Sequence, residues 1–183
     1  AKVRSEIPYK DYPRIGEANV YFTLQAVHPD LLARAANRIK RADTTTSDTD
    51  IVAYGLFAVD IDPVRKAGIS ATDEEKRYAR EVAEKVIAWF ADHGIRCIVA
   101  DSGNGYHLLV PTIPYTGEGV MEASRKASIL LKLLDANFST DQAKIDTDVF
   151  NPARIFKLYG SLAMKGITLK VTDLIDGRRS ICR

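Results

Sequence analysis

The sequence predicts a single α+β domain, and three observations support this fold class. An apolar, β-rich run at residues 51–62 is long enough for a buried strand. A helical pattern follows it, and then come two short strands joined by a glycine-containing loop. A strand, a long helix and a hairpin in this order make half of a ferredoxin-like sheet. The length of 183 residues suits one full core with a small appendage and does not allow two large domains.

The chain before the central strand predicts an extended arm and a small α/β unit. Residues 1–17 hold prolines and a glycine among charges, which favours an arm. Residues 18–27 favour a strand, and a helix is expected over residues 29–41 because a proline stands at its first turn. Residues 43–50 form a polar loop whose hydroxyl groups could make turns or line a site, and turn chemistry is the favoured interpretation. The α/β unit therefore spans residues 18–50.

The central strand leads into a capped helix and a hairpin. Thr72 and Glu75 have the spacing of a capping box, and the helix that starts there is expected to stop at Gly94. Residues 95–100 and 106–111 predict two short strands. The Asn-Gly pair between these strands favours a tight hairpin turn.

The last third of the chain predicts a second helix, a loop and one more strand. The helix is expected over residues 119–134, with Ile129, Leu130 and Leu133 on its apolar face. Residues 145–159 mix charged and large apolar side chains and predict a loop that feeds a strand. Residues 167–183 predict one strand and a charged tail. The main sheet and its helices are therefore assigned to the range that ends near residue 175.

Composition is that of an ordinary globular protein. The content of 46% hydrophobic and 27% charged residues excludes a disordered chain, and a net charge of +2 neither requires nor excludes a nucleic-acid partner. Two cysteines far apart indicate neither a disulfide framework nor a zinc site. The sequence shows no signal peptide and no apolar run of about 18 residues, so a cytoplasmic protein with no membrane partner is expected. The first residue is not Met, which suggests a fragment of a longer chain.

Two carboxylates at the end of the central strand, Asp60 and Asp62, are the first candidates for chemistry. Residues two apart in a strand point to the same face, so both side chains look into one space. Two acids held this close repel each other, and a divalent cation such as Mg²⁺ or Mn²⁺ removes the repulsion. A polar strand end that faces water is the alternative, because an Asp-x-Asp triplet is a weak signal by itself.

Further candidates follow the central strand. His107 comes after the glycine-bracketed loop 102–105, whose backbone N–H groups could approach a phosphate, although a plain hairpin explains the loop equally well. With a third acid, Asp146 or Asp148, and with Arg154, these residues are typical of phosphoryl or nucleotidyl transfer with two metal ions. The sequence has no P-loop and no esterase-type nucleophile elbow.

Three stretches, taken in this order, resemble the motifs of the archaeo-eukaryotic primase superfamily. The most similar branch is that of the bacterial, plasmid and phage primase-polymerases, and the likeness spans roughly residues 18 to 165. The stretches are Asp60-Ile61-Asp62, Ser102 through His107, and Ile145 through Gly160. Each motif is weak alone, and their order along the predicted elements makes the combination specific.

The resemblance implies a fold and a role for each matching residue. Members have an RRM-like, that is ferredoxin-like, catalytic sheet backed by helices, with an adjoining N-terminal α/β unit. The positions that match divalent-metal ligands are Asp60, Asp62 and Asp146. The positions that match contacts to the triphosphate of the incoming nucleotide are Ser102, His107, Arg154 and, where the spacing of basic residues varies, Lys165.

The resemblance also implies an activity for the domain of residues 1–183, with residues 51–175 as the catalytic sheet and helices. The expected enzyme is a DNA primase or DNA polymerase that joins nucleoside triphosphates on single-stranded or primer–template DNA, with helicase or other domains in the full-length chain. Asp148 departs from the family pattern and is either a spare ligand or a solvated loop acid. A metal-dependent nuclease and a non-catalytic replication-initiator module remain the alternatives. The preference for ribo- or deoxyribonucleotides stays open.

Overall fold

The computed structural model describes residues 19–34, 45–165, 168–171 and 173–175, with the backbone alone after residue 161. The predicted arm at residues 1–17, the second half of the helix predicted over residues 29–41 and the charged tail lie outside the described residues. The elements are β1 (Tyr21–Thr23), β2 (Ala26–Val27), β3 (Ile51–Pro63), α1 (Asp73–Asp92), β4 (Ile98–Asp101), β5 (Tyr106–Thr116), α2 (Gly119–Phe138), β6 (Ala143–Ile145), β7 (Ile155–Lys157), β8 (Leu162–Lys165), β9 (Thr168–Val171) and β10 (Asp173–Ile175).

The long strand β3 forms the centre of an antiparallel sheet. The described strands of this sheet follow the order β10-β4-β5-β3-β2, and β6 pairs with the far end of β3 on the same side as β2. Strands β1 and β7 pair with each other as a separate two-stranded ribbon, and β8 pairs with β9. The protein is therefore a mixed α+β fold in which an antiparallel sheet carries helices.

The two faces of β3 have different neighbours because its side chains alternate. Phe57, Val59 and Ile61 are buried in the main core, which also contains the apolar faces of α1 and α2. Ala58 lies on the other face, where it belongs to a small cluster with Leu109 and residues of the β1–β7 ribbon. The even-numbered positions that follow Ala58 therefore point toward the ribbon, away from the helices.

Several predicted elements are confirmed. The strand predicted at 51–62 is β3, and the capping box at the start of α1 is formed by two reciprocal hydrogen bonds between Thr72 and Glu75. The polar loop makes a 3₁₀ turn at Asp48–Asp50, capped by Ser47, as its turn chemistry predicts. No helix in the described ranges has both the length and the apolar character needed to cross a membrane.

The single strand predicted over residues 18–27 is wrong, because this segment contributes to two different sheets. Between β1 and β2, the side chain of Gln25 is buried and bonds the backbone of β3. Its Oε1 accepts from the N–H groups of Gly55 and Leu56 at 2.9 and 3.2 Å, and its Nε2 donates to the Leu56 carbonyl at 2.6 Å. The described part of the predicted helix is a 3₁₀ helix at Pro29–Arg34.

The buried face of α2 also differs from the prediction. Leu130 packs against the main core as predicted, but Ile129 and Leu133 are 69% and 51% exposed. The buried face carries Ala123 and Ala127 together with larger residues such as Leu131. Alanines allow the helix backbone to approach the sheet closely, so the small residues mark the packed face. The described C-terminal segment forms β9 and β10 where one strand was predicted, and the short strand β6 was not predicted.

Candidate active site

Most of the predicted site residues line one cavity of about 170 Å³ at the end of β3. Those that line it are Asp60, Asp62, Ser102, His107, Asp146 and Arg154. Six further residues line the cavity, and sequence reasoning assigned none of them a role in the site: Tyr21, Asn104, Val149, Ile155, Phe156 and Lys157. The backbone of Lys165 lies at the end of β8, and its side chain lies outside the described residues.

Asp60 and His107 meet because they are direct cross-strand partners. The antiparallel register of β3 and β5 places them opposite each other, and His107 Nε2 lies 3.3 Å from Asp60 Oδ1. The expectation that His107 turns toward the carboxylate face is confirmed. Its other nitrogen, Nδ1, lies 2.7 Å from the hydroxyl oxygen of Tyr159. Both nitrogens of this buried ring therefore contact protein groups, an arrangement that the sequence did not indicate.

Asp62 has a different environment. Its Oδ2 lies 3.8 Å from Nη2 of Arg65, whose side chain is only 7% exposed, and Arg65 Nη1 donates to the carbonyl of Ile69. The loop after β3 thus folds back and brings a guanidinium to the second predicted metal ligand.

Asp146 is fixed to β3 through its backbone. Its N–H donates to the Asp60 carbonyl at 2.8 Å, just after β6 pairs with the end of β3. Asp146 Oδ1 accepts from the N–H of Asp148 at 2.8 Å. Asp148 is exposed and is not among the described lining residues, which favours the interpretation as a loop acid. The β6 contact thus brings the third carboxylate to the first two.

The segment that carries Arg154 is held in place by the polar loop before β3. Asp48 Oδ1 accepts from the N–H of Ala153 at 2.7 Å. The Arg154 guanidinium donates through Nη2 to the carbonyl of Asp148, and its buried Nε has no hydrogen-bond partner among the described residues. A partly exposed guanidinium at a cavity wall, with a buried Nε–H that no described residue accepts, suits an anion.

The predicted hairpin of β4 and β5 is confirmed, but the centre of its turn is Gly103-Asn104, inside the Ser102–Gly105 hydrogen bond, and not the Asn104-Gly105 pair. Three of its N–H groups are used within the loop: Ser102 donates to the Gly105 carbonyl, Gly105 to Ser102 Oγ, and Gly103 to Asp101 Oδ1. The interpretation that the loop offers these N–H groups to a phosphate therefore does not hold. Asn104 is buried, and its Oδ1 accepts from the N–H of Ala71 at 2.9 Å, which ties the loop to the segment before α1.

The cavity has the donor chemistry for a hard divalent cation, because three carboxylates line it. In the part of the chain that the structure describes, no three His, Cys, Asp or Glu side chains converge closely enough to hold one ion as they stand. Each predicted ligand has a partner of its own: His107 for Asp60, Arg65 for Asp62 and the Asp148 N–H for Asp146. Shared coordination of one ion therefore requires these carboxylates to rotate.

Comparisons with known proteins give limited information. No protein-family profile and no curated protein matches the chain. A solved structure of the polymerase domain from Mycobacterium tuberculosis Ligase D in complex with DNA is similar, with a TM-score of 0.45 and 19% sequence identity. The match covers 64% of this chain and 43% of that one, so this chain spans less than half of that structure's length. At this level the likeness concerns a partial correspondence of fold alone.

Proposed function

We propose that this chain is the catalytic domain of a primase-polymerase, which joins nucleoside triphosphates on single-stranded or primer–template DNA. The observation that carries the proposal is the shared cavity. Three stretches far apart in sequence, those around Asp60, Ser102 and Asp146, contribute side chains to it. These are the stretches that resemble the superfamily's motifs, and that likeness leads us to this activity.

The order of the elements supports the proposal. The run β3-α1-β4-β5-α2-β6 has the βαββαβ order of a ferredoxin-like fold, the class that includes RRM-like sheets. Its four strands lie side by side as β4-β5-β3-β6, so the first and third strands of the unit are central. The carboxylates and His107 come from these two central strands and the start of the loop after β6.

The carboxylates would hold Mg²⁺ or Mn²⁺, which when bound neutralises their repulsion, activates a primer 3′-hydroxyl and balances charge on the departing pyrophosphate. The chain's own groups orient the nucleotide. Arg154 supplies a positive charge and a spare N–H donor to the triphosphate. Ser102 Oγ accepts from the Gly105 N–H, which leaves its own O–H to donate to a phosphate oxygen. Lys165 remains a further candidate for this role.

A matched pair of acids tests this function by primer extension with Mg²⁺ or Mn²⁺. Both acids are exposed on the same loop, but Asp146 lines the cavity and Asp148 is not among its described lining residues. We expect Asp146→Ala to lose nucleotide addition by 100-fold or more, on the order of the loss of one preorganised charged group. We expect Asp148→Ala to keep the wild-type rate, because its side chain does not line the cavity. Thermal melting of both variants checks that the fold is intact.

The same assay separates the alternatives. Shortening of the primer without extension would point to a metal-dependent nuclease and contradict the proposal. A binding module is indicated by two results together: the wild-type chain extends no primer with any nucleotide mixture, and Asp146→Ala still binds DNA. Equal loss of activity in both variants would show that Asp146 has no special role. Separate ribo- and deoxyribonucleotide pools identify the preferred substrate.

A further inference from the structure

Tyr159 is a partly buried partner of the site that the proposed function does not use. Its hydroxyl oxygen lies 2.7 Å from His107 Nδ1, across 52 residues of sequence. His107 Nε2 lies 3.3 Å from Asp60 Oδ1, so the tyrosine, the histidine and the aspartate form a line that ends at a predicted metal ligand. Only the last of the three carries a formal negative charge in ordinary conditions.

The hydrogen bond of this line is the one between Tyr159 and His107 Nδ1. The contact of His107 Nε2 with Asp60 Oδ1 is an ion-pair distance and not a hydrogen bond. Burial and the nearby Asp60 charge raise the pKa of Tyr159, which favours its hydroxyl as the donor to Nδ1. A ring whose Nδ1 accepts carries its proton on Nε2, so Tyr159 favours the tautomer whose Nε2–H faces Asp60.

Packing holds the tyrosine and the histidine in place. The ring of Phe156 in β7 stands perpendicular to the His107 ring, at 89° and a centroid distance of 4.9 Å. Phe22 in β1 meets Tyr159 edge-on, with centroids 6.1 Å apart. Edge-to-face contacts of this kind favour one orientation of each ring. The β1–β7 ribbon thus supplies the walls of the histidine's environment.

We propose that Tyr159 is a positioning residue, which orients the His107 ring and through it the Asp60 carboxylate. This inference rests on the proposed function for its effect on catalysis, whereas the hydrogen bond itself is independent of any activity. Tyr159 acts through His107 and needs no contact with substrate. The role assigned to His107 also changes from a phosphate contact to a support for Asp60.

Tyr159→Phe tests the inference because it removes the hydroxyl and keeps the ring. Nitrogen NMR of ¹⁵N-labelled histidine reads the tautomer directly, since the chain has only three histidines and His107→Gln identifies the relevant signals. In the wild type we expect a protonated Nε2 and an Nδ1 that accepts a hydrogen bond. In Tyr159→Phe we expect the Nδ1 signal to move toward that of a nitrogen without this bond. A structural role for the ring alone would leave the signal unchanged.

The activity arm uses primer extension with Tyr54→Phe as the matched control. Tyr54 is buried, and its hydroxyl contacts the carbonyl of Phe150 away from His107. We expect Tyr159→Phe to lower kcat about 2- to 12-fold, the effect of one lost neutral hydrogen bond, with little change in KM. Tyr54→Phe should change neither kcat nor the His107 signals.

Three outcomes would overturn the inference. They are a wild-type Nδ1 that carries the proton, His107 signals that Tyr159→Phe leaves unchanged, and an equal loss of kcat in Tyr54→Phe. If Tyr159→Phe fails to fold, the wild-type spectrum still decides the direction of the hydrogen bond. Failure of the proposed function has a different signature, namely no nucleotide addition by a wild-type chain whose His107 signals are as expected.

Discussion

Gly105 is the point at which the β4–β5 hairpin comes closest to the end of β3. A Cβ atom built on Gly105 would lie 2.6 Å from Asp62 Oδ1 and even closer to the backbone carbonyl oxygen of Ile61. The flexible carboxylate can move, whereas the backbone carbonyl belongs to the paired end of the strand. Gly105→Ala must therefore push the hairpin away from β3 next to the Ile61–Tyr106 pair.

The expected cost has two parts. Overpacking typically costs about 1 to 3 kcal/mol, and a weakened ladder hydrogen bond costs about 0.5 to 1.5 kcal/mol more. A total of about 1.5 to 4.5 kcal/mol corresponds to a fall in Tm of about 3 to 18 °C for a domain of this size. Urea and thermal unfolding followed by circular dichroism measure both quantities.

Gly55→Ala is the control, because this glycine also lies in the sheet and its added Cβ would meet only Pro114 Cγ, at an ordinary 3.9 Å. We expect a change within about 1 kcal/mol for this variant. Equal Tm values for Gly105→Ala and Gly55→Ala would show that the approach of Gly105 to the Ile61 carbonyl is not tight enough to matter. The rate of nucleotide addition by Gly105→Ala should fall by more than the decrease in its folded fraction. The reason is that the displaced hairpin adjoins Asp62.

Two further predictions concern stability. Asp101 accepts hydrogen bonds from Lys76 Nζ, at 2.6 Å, and from the Gly103 N–H, so Asp101→Ala should lower the free energy of unfolding in urea by about 1 to 3 kcal/mol. The control Glu122→Ala removes an exposed ion pair in α2 and should have no measurable effect on this free energy. Equal losses in the two variants would contradict a stabilising role for Asp101. Burial raises the pKa of Tyr54 from 10.0 to about 12, so the unfolded chain releases this proton first and stability falls as the pH rises from 10 to 12. We expect the free energy of unfolding of Tyr54→Phe, measured in urea, to fall by about 2 to 3 kcal/mol less than that of the wild type between pH 10 and 12. Parallel plots of this free energy against pH for the two proteins would rule the effect out.

The parts of the fold that the sequence predicted are those encoded by local patterns. The apolar run of β3 and the reciprocal bonding of Thr72 and Glu75 depend on residues close in sequence, and both are confirmed. The shared face of Asp60 and Asp62 also follows from the period of two in a strand, whereas the meeting of Asp60 and His107 depends on the register of β3 against β5.

The parts that the sequence did not predict depend on distant partners. Strand β6 has only three residues, and its place is set by pairing with the end of β3. The packed face of α2 is marked by Ala123 and Ala127, so a count of large apolar side chains selects the wrong face. Tyr159 reaches His107 only because the β1–β7 ribbon lies across the sheet, a contact that no local pattern indicates.

The register of β3 against β5 is the feature on which the candidate site depends most. A slip of one residue would turn His107 away from Asp60, because side chains alternate between the two faces. The close approach of Gly105 to the Ile61 carbonyl constrains the register at the end of β3 that carries the acids. The bonds of Gln25 to Gly55 and Leu56 support β3 itself, at the point where the register against β5 shifts. Gly105 has no side chain suited to phosphoryl transfer. The geometry of the acids and the histidine therefore depends on a glycine outside the reacting groups, and substitutions there should impair the site without removing any of its functional side chains.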